Sequence, residues 1–377
     1  MNKYRFVQLD VFTSEAFAGN ALAVFPEAEG LTDEQMMKIA REMNLSETVF
    51  VLKPEEEQQT ANSQQQSAKG GATAASEATK PTEVTEPTEA TEASFPAEAQ
   101  DHAKGSEKSV KTESRVGSDK QNVLRRLRIF TPTREIPFAG HPIVGTWNAL
   151  AREGGVPVPE GGNGWTRIYQ ELGIGVLPVE IEFKDGAPVQ VVMTQGKFEI
   201  TSEIYDGHEQ AEIARALGLP IEALDESLPI QTISTGLGFL AVPIRALADL
   251  RRCKVNAALL TEIYQRSGAT GCQAFSRETI EIGESRAHVR MFAPGDNIPE
   301  DPATGSAAGA LGAYLVHHGA SGAEAVDGRV RFVIEQGDFI HRASRINIDV
   351  KGTAGAIEEV RVGGTSIVVA HGEVVFD

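Results

Sequence analysis

Apolar and polar positions alternate over residues 4–12 as in a half-buried strand, a Gly19-Asn20 turn follows, and 21–25 reads as a second strand. Thr32 and Gln35 have the spacing of a capping box, and Met36, Ile39, Ala40 and Met43 then fall on one face of the helix it opens. Residues 48–52 form an apolar run of strand length. From 54 to 123 the pattern stops: no Ile, Leu, Met, Trp or Tyr occurs, and a Thr-Glu-x repeat runs from Thr82 through Glu92. So little apolar surface cannot offset the entropy of ordering the segment, and residues 54–124 are expected to be a disordered insertion. Patterning resumes at 127–130 with a strand expected to pair with 48–52 as a hairpin.

Strands dominate 167–194, a helix over 208–217 ends at Gly218, and strands return at 231–235 and 240–242. A helix over 257–265 precedes strands at 272–275 and 288–292, the segment PEDPATGSAAGALGAYLVHHG carries another helix, and strands including 330–335 and 367–370 close the chain. Many strands with a few helices, not in strict alternation, predict an α+β fold.

Two helix entrances resemble each other. In EIPFAGHPIVG, Pro142 is expected at the first helical position, and Gly154 ends the helix. In EDPATGSAAG, Asp301 reads as an N-cap and Pro302 as the first helical residue. Gly305, Gly309 and Gly312 together cost the second helix about 3 kcal/mol against alanine. Close packing must compensate, as in a helix threaded through a tight barrel of strands. Two such entrances facing each other would aim positive dipole ends and unpaired N–H groups at the space between them, which suits a carboxylate.

At 377 residues and 41% apolar content the chain holds real cores, and a net charge of −18 argues against nucleic acid or an anionic membrane as partner. The two cysteines, Cys253 and Cys272, make no disulfide framework or Cys-rich zinc site. With no signal-like start and no membrane-length apolar stretch, a soluble, cytoplasmic protein is expected.

Among candidate chemical groups, Glu47 stands at the mouth of the 48–52 strand, where partial burial beside Phe50 would raise its pKa and suit it to acid–base work. His141 is a candidate acid, hydrogen-bond donor or simple polar neighbour of a helix start. No His/Asp/Glu cluster has metal-ligand spacing. Gly236 to Ala241 fits a G-x-G-x-x-A pattern, but the chain continues as strand rather than helix, which rules out a dinucleotide cofactor there. Ser306 lacks the frame of a hydrolase nucleophile.

Taken in order, LDVFTSEAFAGNALAVF, LSETVFV, RIFTPTREIPFAGHPIVG, STGLGFLAVP, MFAPGDNIPEDPATGSAAGALGAYL and RFVIEQGDFIHRASRI resemble the PhzF-like (phenazine biosynthesis-like) family within the diaminopimelate epimerase fold. The resemblance spans nearly the whole chain except the insertion. It implies two similar lobes, 1–196 and 197–377, each a barrel-like sheet around a central helix with the active site between them. It also implies isomerisation without a cofactor, as in the phenazine-pathway step on a dihydro-hydroxyanthranilate, on a small, carboxylated substrate. Glu47 would then shuttle a proton between carbons, His141, Asp301 and Ser306 would position the substrate and the migrating proton, and Gly140 and Gly305 would lend backbone N–H groups. Where related epimerases carry a cysteine at each helix entrance, this chain has Ala139 and Thr304. A homodimer is the oligomeric state that the resemblance suggests. A non-catalytic ligand-binding or interaction protein, with the insertion as its contact arm, and an epimerase with a second base are the alternatives that the residues leave open.

Overall fold

The computed structural model describes residues 1–55 and 123–377, and the expectation of disorder for 54–124 lies outside these residues but for its first two and last two positions. β1 (Asn2–Val11) and β2 (Asn20–Phe25) pair antiparallel, α1 (Asp33–Met43) crosses over, and β3 (Glu47–Leu52) runs parallel to β2. The capping box is present: Gln35 N–H donates to Thr32 Oγ1 at 3.2 Å and Thr32 N–H to Gln35 Oε1 at 2.9 Å. Met36, Ile39 and Ala40 are buried with Phe25, Phe50 and Phe130. β4 (Val123–Phe130) pairs antiparallel with β3, Thr48 opposite Phe130, so the two are hairpin partners as the pattern predicts.

The chain continues through β5 (Glu135–Ile136), α2 (Gly140–Arg152), β6 (Gly164–Leu172), β7 (Gly175–Lys184) and β8 (Ala187–Thr194). There follow β9 (Glu199–Ile204), α3 (Gly207–Ala216), β10 (Ile230–Ser234), β11 (Gly238–Pro243), α4 (Leu247–Arg251), α5 (Ala257–Arg266) and β12 (Gly271–Ser276). The last elements are β13 (Ser285–Ala293), β14 (Ile298–Asp301), α6 (Gly305–His317), β15 (Ala325–Val326), β16 (Arg329–Gln336), β17 (Ser344–Thr353), β18 (Ala356–Gly364) and β19 (Ser366–Phe376).

One order of pairings occurs twice. β1–β2 is antiparallel, β2–β3 parallel, β3–β4 antiparallel, β4–β6 parallel, and β6–β7 and β7–β8 antiparallel. The same sequence runs through β10, β11, β12, β13, β16, β17 and β18. Parallel neighbours need a crossover. α2 lies in the connection from β4 to β6, and α6 in the corresponding one from β13 to β16. The likeness of the two helix entrances in sequence thus has a counterpart in topology. β8 pairs with β18, joining both sets into one large mixed sheet, and the C-terminal strand β19 pairs with β1.

α2 and α6 are buried almost all round, against strands on every side, so their glycines and alanines are required by space. A methyl group at Gly145 would fall 2.5 Å from Leu22 Cδ2, and one at Gly312 would fall 2.4 Å from Ile348 Cγ2. Two expectations about the entrances are corrected. α2 starts at Gly140 with Ala139 as N-cap, which makes Pro142 its third residue, and α6 starts at Gly305 with Thr304 as N-cap. Asp301 instead ends β14, because its carboxylate is taken by Asn20 and Thr304, while the Thr304 N–H is met by Gln336 Oε1 at 3.3 Å.

Gly312→Ala tests how tightly the strands grip α6. The methyl adds about 1 kcal/mol of helix propensity, yet net destabilisation of about 1–3 kcal/mol is expected from overpacking. An unchanged or raised urea midpoint would show that the strands yield.

Candidate active site

The entrances of α2 and α6 touch. A Cβ on Gly140 would lie 3.3 Å from both Gly305 Cα and Ser306 N, and one on Gly305 would lie 3.6 Å from Gly140 Cα and 3.2 Å from Phe12 Cζ. A side chain at either position would be tight, and the neighbours would have to give by a few tenths of an ångström. First-turn amides have no carbonyl partner within their own helix, which leaves those of Gly140 and His141 in α2 and of Gly305, Ser306 and Ala307 in α6 directed out of the helix ends. Pro142 has none to offer.

Beside this contact lies a buried polar cluster built from four elements. Glu47 opens β3, and strand alternation turns its side chain to the face of Val49 and Val51 in the main core. Phe50 points the other way and packs between Phe25 and Phe130, so the burial of Glu47 does not come from Phe50 as the sequence suggests. Glu47 Oε2 instead faces His141 Nε2 at 3.3 Å, and neither atom has an aligned hydrogen-bond partner. Asn20, at the start of β2, donates from Nδ2 to Asp301 Oδ1 and to the Ala303 carbonyl, both at 2.9 Å, and accepts from Ser46 Oγ at 3.1 Å. Its Nδ2 also lies 3.4 Å from His141 Nδ1. The amide has two hydrogens, and the shorter bonds to Asp301 and Ala303 take both, so the longer approach to His141 is a packing contact.

Burial governs the ionisation of all three groups. It pushes Glu47 from 4.5 up to about 7, against a smaller lowering by the Ser46 hydroxyl. It pulls His141 from 6.5 down to about 4, with Asp301 opposing. It lifts Asp301 to about 6, helped by Glu47 and opposed by His141, Thr304 and Asn20. Between about pH 4 and 7 the favoured forms are therefore a neutral imidazole and a protonated Glu47, so the contact is not an ion pair.

The family model of the phenazine biosynthesis-like protein matches residues 9–64 and 89–372. The chain belongs to the phenazine biosynthesis-like family. An uncharacterized isomerase of Clostridium acetobutylicum is 30% identical over all of both chains. The trans-2,3-dihydro-3-hydroxyanthranilate isomerase of Pseudomonas aeruginosa is 28% identical over 98% of each. The crystal structure of a Bacillus anthracis phenazine biosynthesis protein of the PhzF family superposes with a TM-score of 0.71 at 24% identity, covering all of both chains. The chain is thus an enzyme of the isomerase class, with the mixed α and β fold of this family.

Within that family member, Glu47, His141 and Asp301 converge, Gly140 meets Gly305, and Ser306 is the second residue of α6, against Gly140. Sequence reading missed Asn20 and Gln336. Asn20 looked like a turn residue, yet it ties Asp301 to Ser46 and reaches His141. Gln336 donates to the Asp301 carbonyl at 2.7 Å and to Thr304 Oγ1 at 3.1 Å, fixing the entrance of α6. Ala139 and Thr304, the positions that the resemblance matches to the epimerases' cysteines, are the N-caps of α2 and α6. Cys253 and Cys272 are buried in a separate cluster, where burial pushes Cys253 up to about 11 and Cys272 higher still. Among the described residues no cluster of His, Cys, Asp and Glu is arranged to hold a metal ion, and no helix is long and apolar enough to cross a membrane. Residues 236–241 comprise the end of the turn after β10 and the first four residues of β11, so the pattern runs into a strand and opens no helix.

Because the folded site holds the Glu47 proton more tightly than the unfolded chain, Glu47 makes stability fall as pH rises from about 4.5 to about 7, and the loss persists above. Glu47→Gln is expected to gain on the parent between pH 5 and pH 8 by about 2–3 kcal/mol. Urea titrations of both proteins at the two pH values measure this. A pH-independent difference would mean that Glu47 ionises normally.

Proposed function

We propose that the chain is a cofactor-independent isomerase that moves a proton between carbons of a small, carboxylated, cyclic metabolite, with Glu47 as the general acid and base. The observation that carries this reading is the buried Glu47–His141 contact at 3.3 Å, with both facing atoms otherwise unpartnered and Glu47 pushed up to about 7. A carboxyl titrating near neutrality serves nearly equally well as base and as acid. Ionised Glu47 breaks a substrate C–H bond by taking its proton, the electron pair delocalises into the substrate's unsaturated system, and the same oxygen returns the proton to another carbon. Glu47 ends as it began. His141 Nε2–H steadies the carboxylate, the amides of Gly140 and Gly305 with Ser306 hold the substrate carboxylate, and Asp301 orients the substrate.

The same reading assigns residues 1–196 and 197–377 to two lobes, each a barrel-like sheet around α2 or α6, with the cleft at the helix entrances. The repeated order of strand pairings supports it. The name of the Pseudomonas aeruginosa relative makes trans-2,3-dihydro-3-hydroxyanthranilate the first compound to test, a step in biosynthesis of a secondary metabolite.

One observation favours a second reading. Asp301 is another buried carboxyl with a pKa raised chiefly by burial and further by the charge of Glu47, and it would serve an epimerase as a second base. Chiral analysis of the product separates the two: an isomerase moves a double bond, whereas an epimerase inverts one carbon and leaves connectivity unchanged.

Incubation in D₂O with trans-2,3-dihydro-3-hydroxyanthranilate and, separately, with a cell metabolite extract, followed by NMR and mass spectrometry, tests the proposal. The parent is expected to give a new isomer with deuterium at carbon, and Glu47→Gln to lose about 10²–10⁴-fold in rate. Initial rates of the parent should rise as pH passes through about 7, where Glu47 becomes the base. A Glu47→Gln protein as fast as the parent, or a parent silent on both substrates, would overturn it.

A further inference from the structure

A pocket of about 360 Å³ lies beside the C-terminal end of α6, the end remote from Gly305, and none of the chemistry above uses it. Arg245, Arg277 and Arg286 line it together with Asp225, Glu278 and Ser321. Each guanidinium is anchored from behind. Arg277 donates to Asp225 Oδ2 and to Ser227 Oγ, both at 2.9 Å. Arg286 Nη1 donates to the Gly283 carbonyl and, at 3.0 Å, to that of Ser285. Its stem passes over Gly322, where an added Cβ would lie 3.7 Å from Arg286 Cδ. Arg245 Nη2 reaches the Leu224 carbonyl at 3.4 Å.

The charges do not balance within the pocket. Glu278 accepts from the N–H of Leu247 at 2.7 Å and keeps its charge, Asp225 pairs with Arg277, and among the described residues Arg245 and Arg286 have no carboxylate within ion-pair distance. Arg286 Nε is buried and has no hydrogen-bond partner among the described residues. Ser321 Oγ accepts from the Ala323 N–H at 3.4 Å, which leaves its own hydrogen available to donate. The nearby end of α6 opposes an anion with about half a negative charge, but the amides of His318, Gly319 and Ala320 already engage its last carbonyls. Three arginines against two carboxylates leave the lining with one net positive charge, which still exceeds it. Fixed guanidinium forks match the oxygens of phosphate, two at a time.

We propose that this pocket binds a small phosphate-bearing anion, gripped by Arg245 and Arg286 with Ser321 donating. Calorimetric titration of the full chain with inorganic pyrophosphate tests it, alongside citrate as a carboxylate anion. Saturable binding of one pyrophosphate per chain is expected, with citrate at least about tenfold weaker. Arg245→Gln and Arg286→Gln should each weaken pyrophosphate about tenfold or more, the loss of a charged hydrogen bond. Arg286→Lys should also bind more weakly, because it keeps the charge and loses the fork. Arg167→Gln, on the Arg167–Glu180 surface pair of β6, should bind like the parent. Pyrophosphate should raise the melting temperature of the parent and not of the two glutamine variants. If Arg286→Gln does not fold, the exposed Arg245 still decides the matter. Absence of saturable binding, parental affinity in Arg245→Gln, equal affinity for citrate, or an equal loss in Arg167→Gln would overturn the proposal.

Discussion

Backbone contact between Gly140 and Gly305 is the constraint from which the rest of the molecule follows. Two helices meet end to end at this distance most easily when neither entrance carries a Cβ, and they stay there when each helix is held along its length by something else. The strands supply that hold, and they in turn demand small residues at Gly145, Gly309 and Gly312. The glycines that weaken each helix in isolation are therefore the condition for placing its first turn. What reaches the meeting point is a set of unpaired amides whose direction is fixed by the whole of both helices rather than by a loop.

This arrangement sets two electrostatic effects against each other. Helix N-termini favour a charged carboxylate by up to about 2 kcal/mol, whereas burial that moves Glu47 from 4.5 to about 7 disfavours it by roughly 3 kcal/mol. Burial wins, and the acids at the cleft keep their protons to a higher pH than acids in water. His141 responds in the opposite sense to the same cause, so a cluster that looks like an ion pair by distance is a neutral one by energy. Ionising a group in such a site is costly because the water that would solvate the charge has been excluded, and a neighbouring donor or positive dipole is what offsets that cost.

How much of this was legible in the sequence depended on the range of the interaction. The α1 capping box, the apolar face of α1 and the β3–β4 hairpin rest on spacings of a few residues or on matched apolar runs, and they were readable. The caps of α2 and α6 were misread for a local reason: Asp301-Pro302 has the form of a helix start, but Asn20, 281 residues away, takes the carboxylate. Gln336 was invisible as a cap surrogate for the same cause, since its partner amide belongs to Thr304 on another element. The placing of Phe50 beside Glu47 failed on strand geometry alone, because residues three apart on a strand face opposite ways. Burial raises the carboxyl as reasoned, through different neighbours.

The two N-cap positions show how the chemistry of such a cleft is narrowed by what the caps can do. A thiol at each entrance would offer two acid–base groups on opposite sides of one carbon. Ala139 offers none, and the Thr304 hydroxyl, which donates to Asp301 and accepts from Gln336, is committed to holding a carboxylate in place. A threonine hydroxyl is also far too weak an acid to exchange protons near neutrality, and both cysteines lie in another cluster with their thiols held protonated by burial. The titratable groups left beside the helix entrances are Glu47, Asp301 and His141. Of these, His141 is kept neutral by burial and Asp301 is bound on both oxygens, by Asn20 and by Thr304. Of the three, Glu47 alone has an oxygen buried, without a hydrogen-bond partner among the described residues and titrating near neutrality, which is the physical ground for the proposal that one residue, rather than a matched pair, carries the proton.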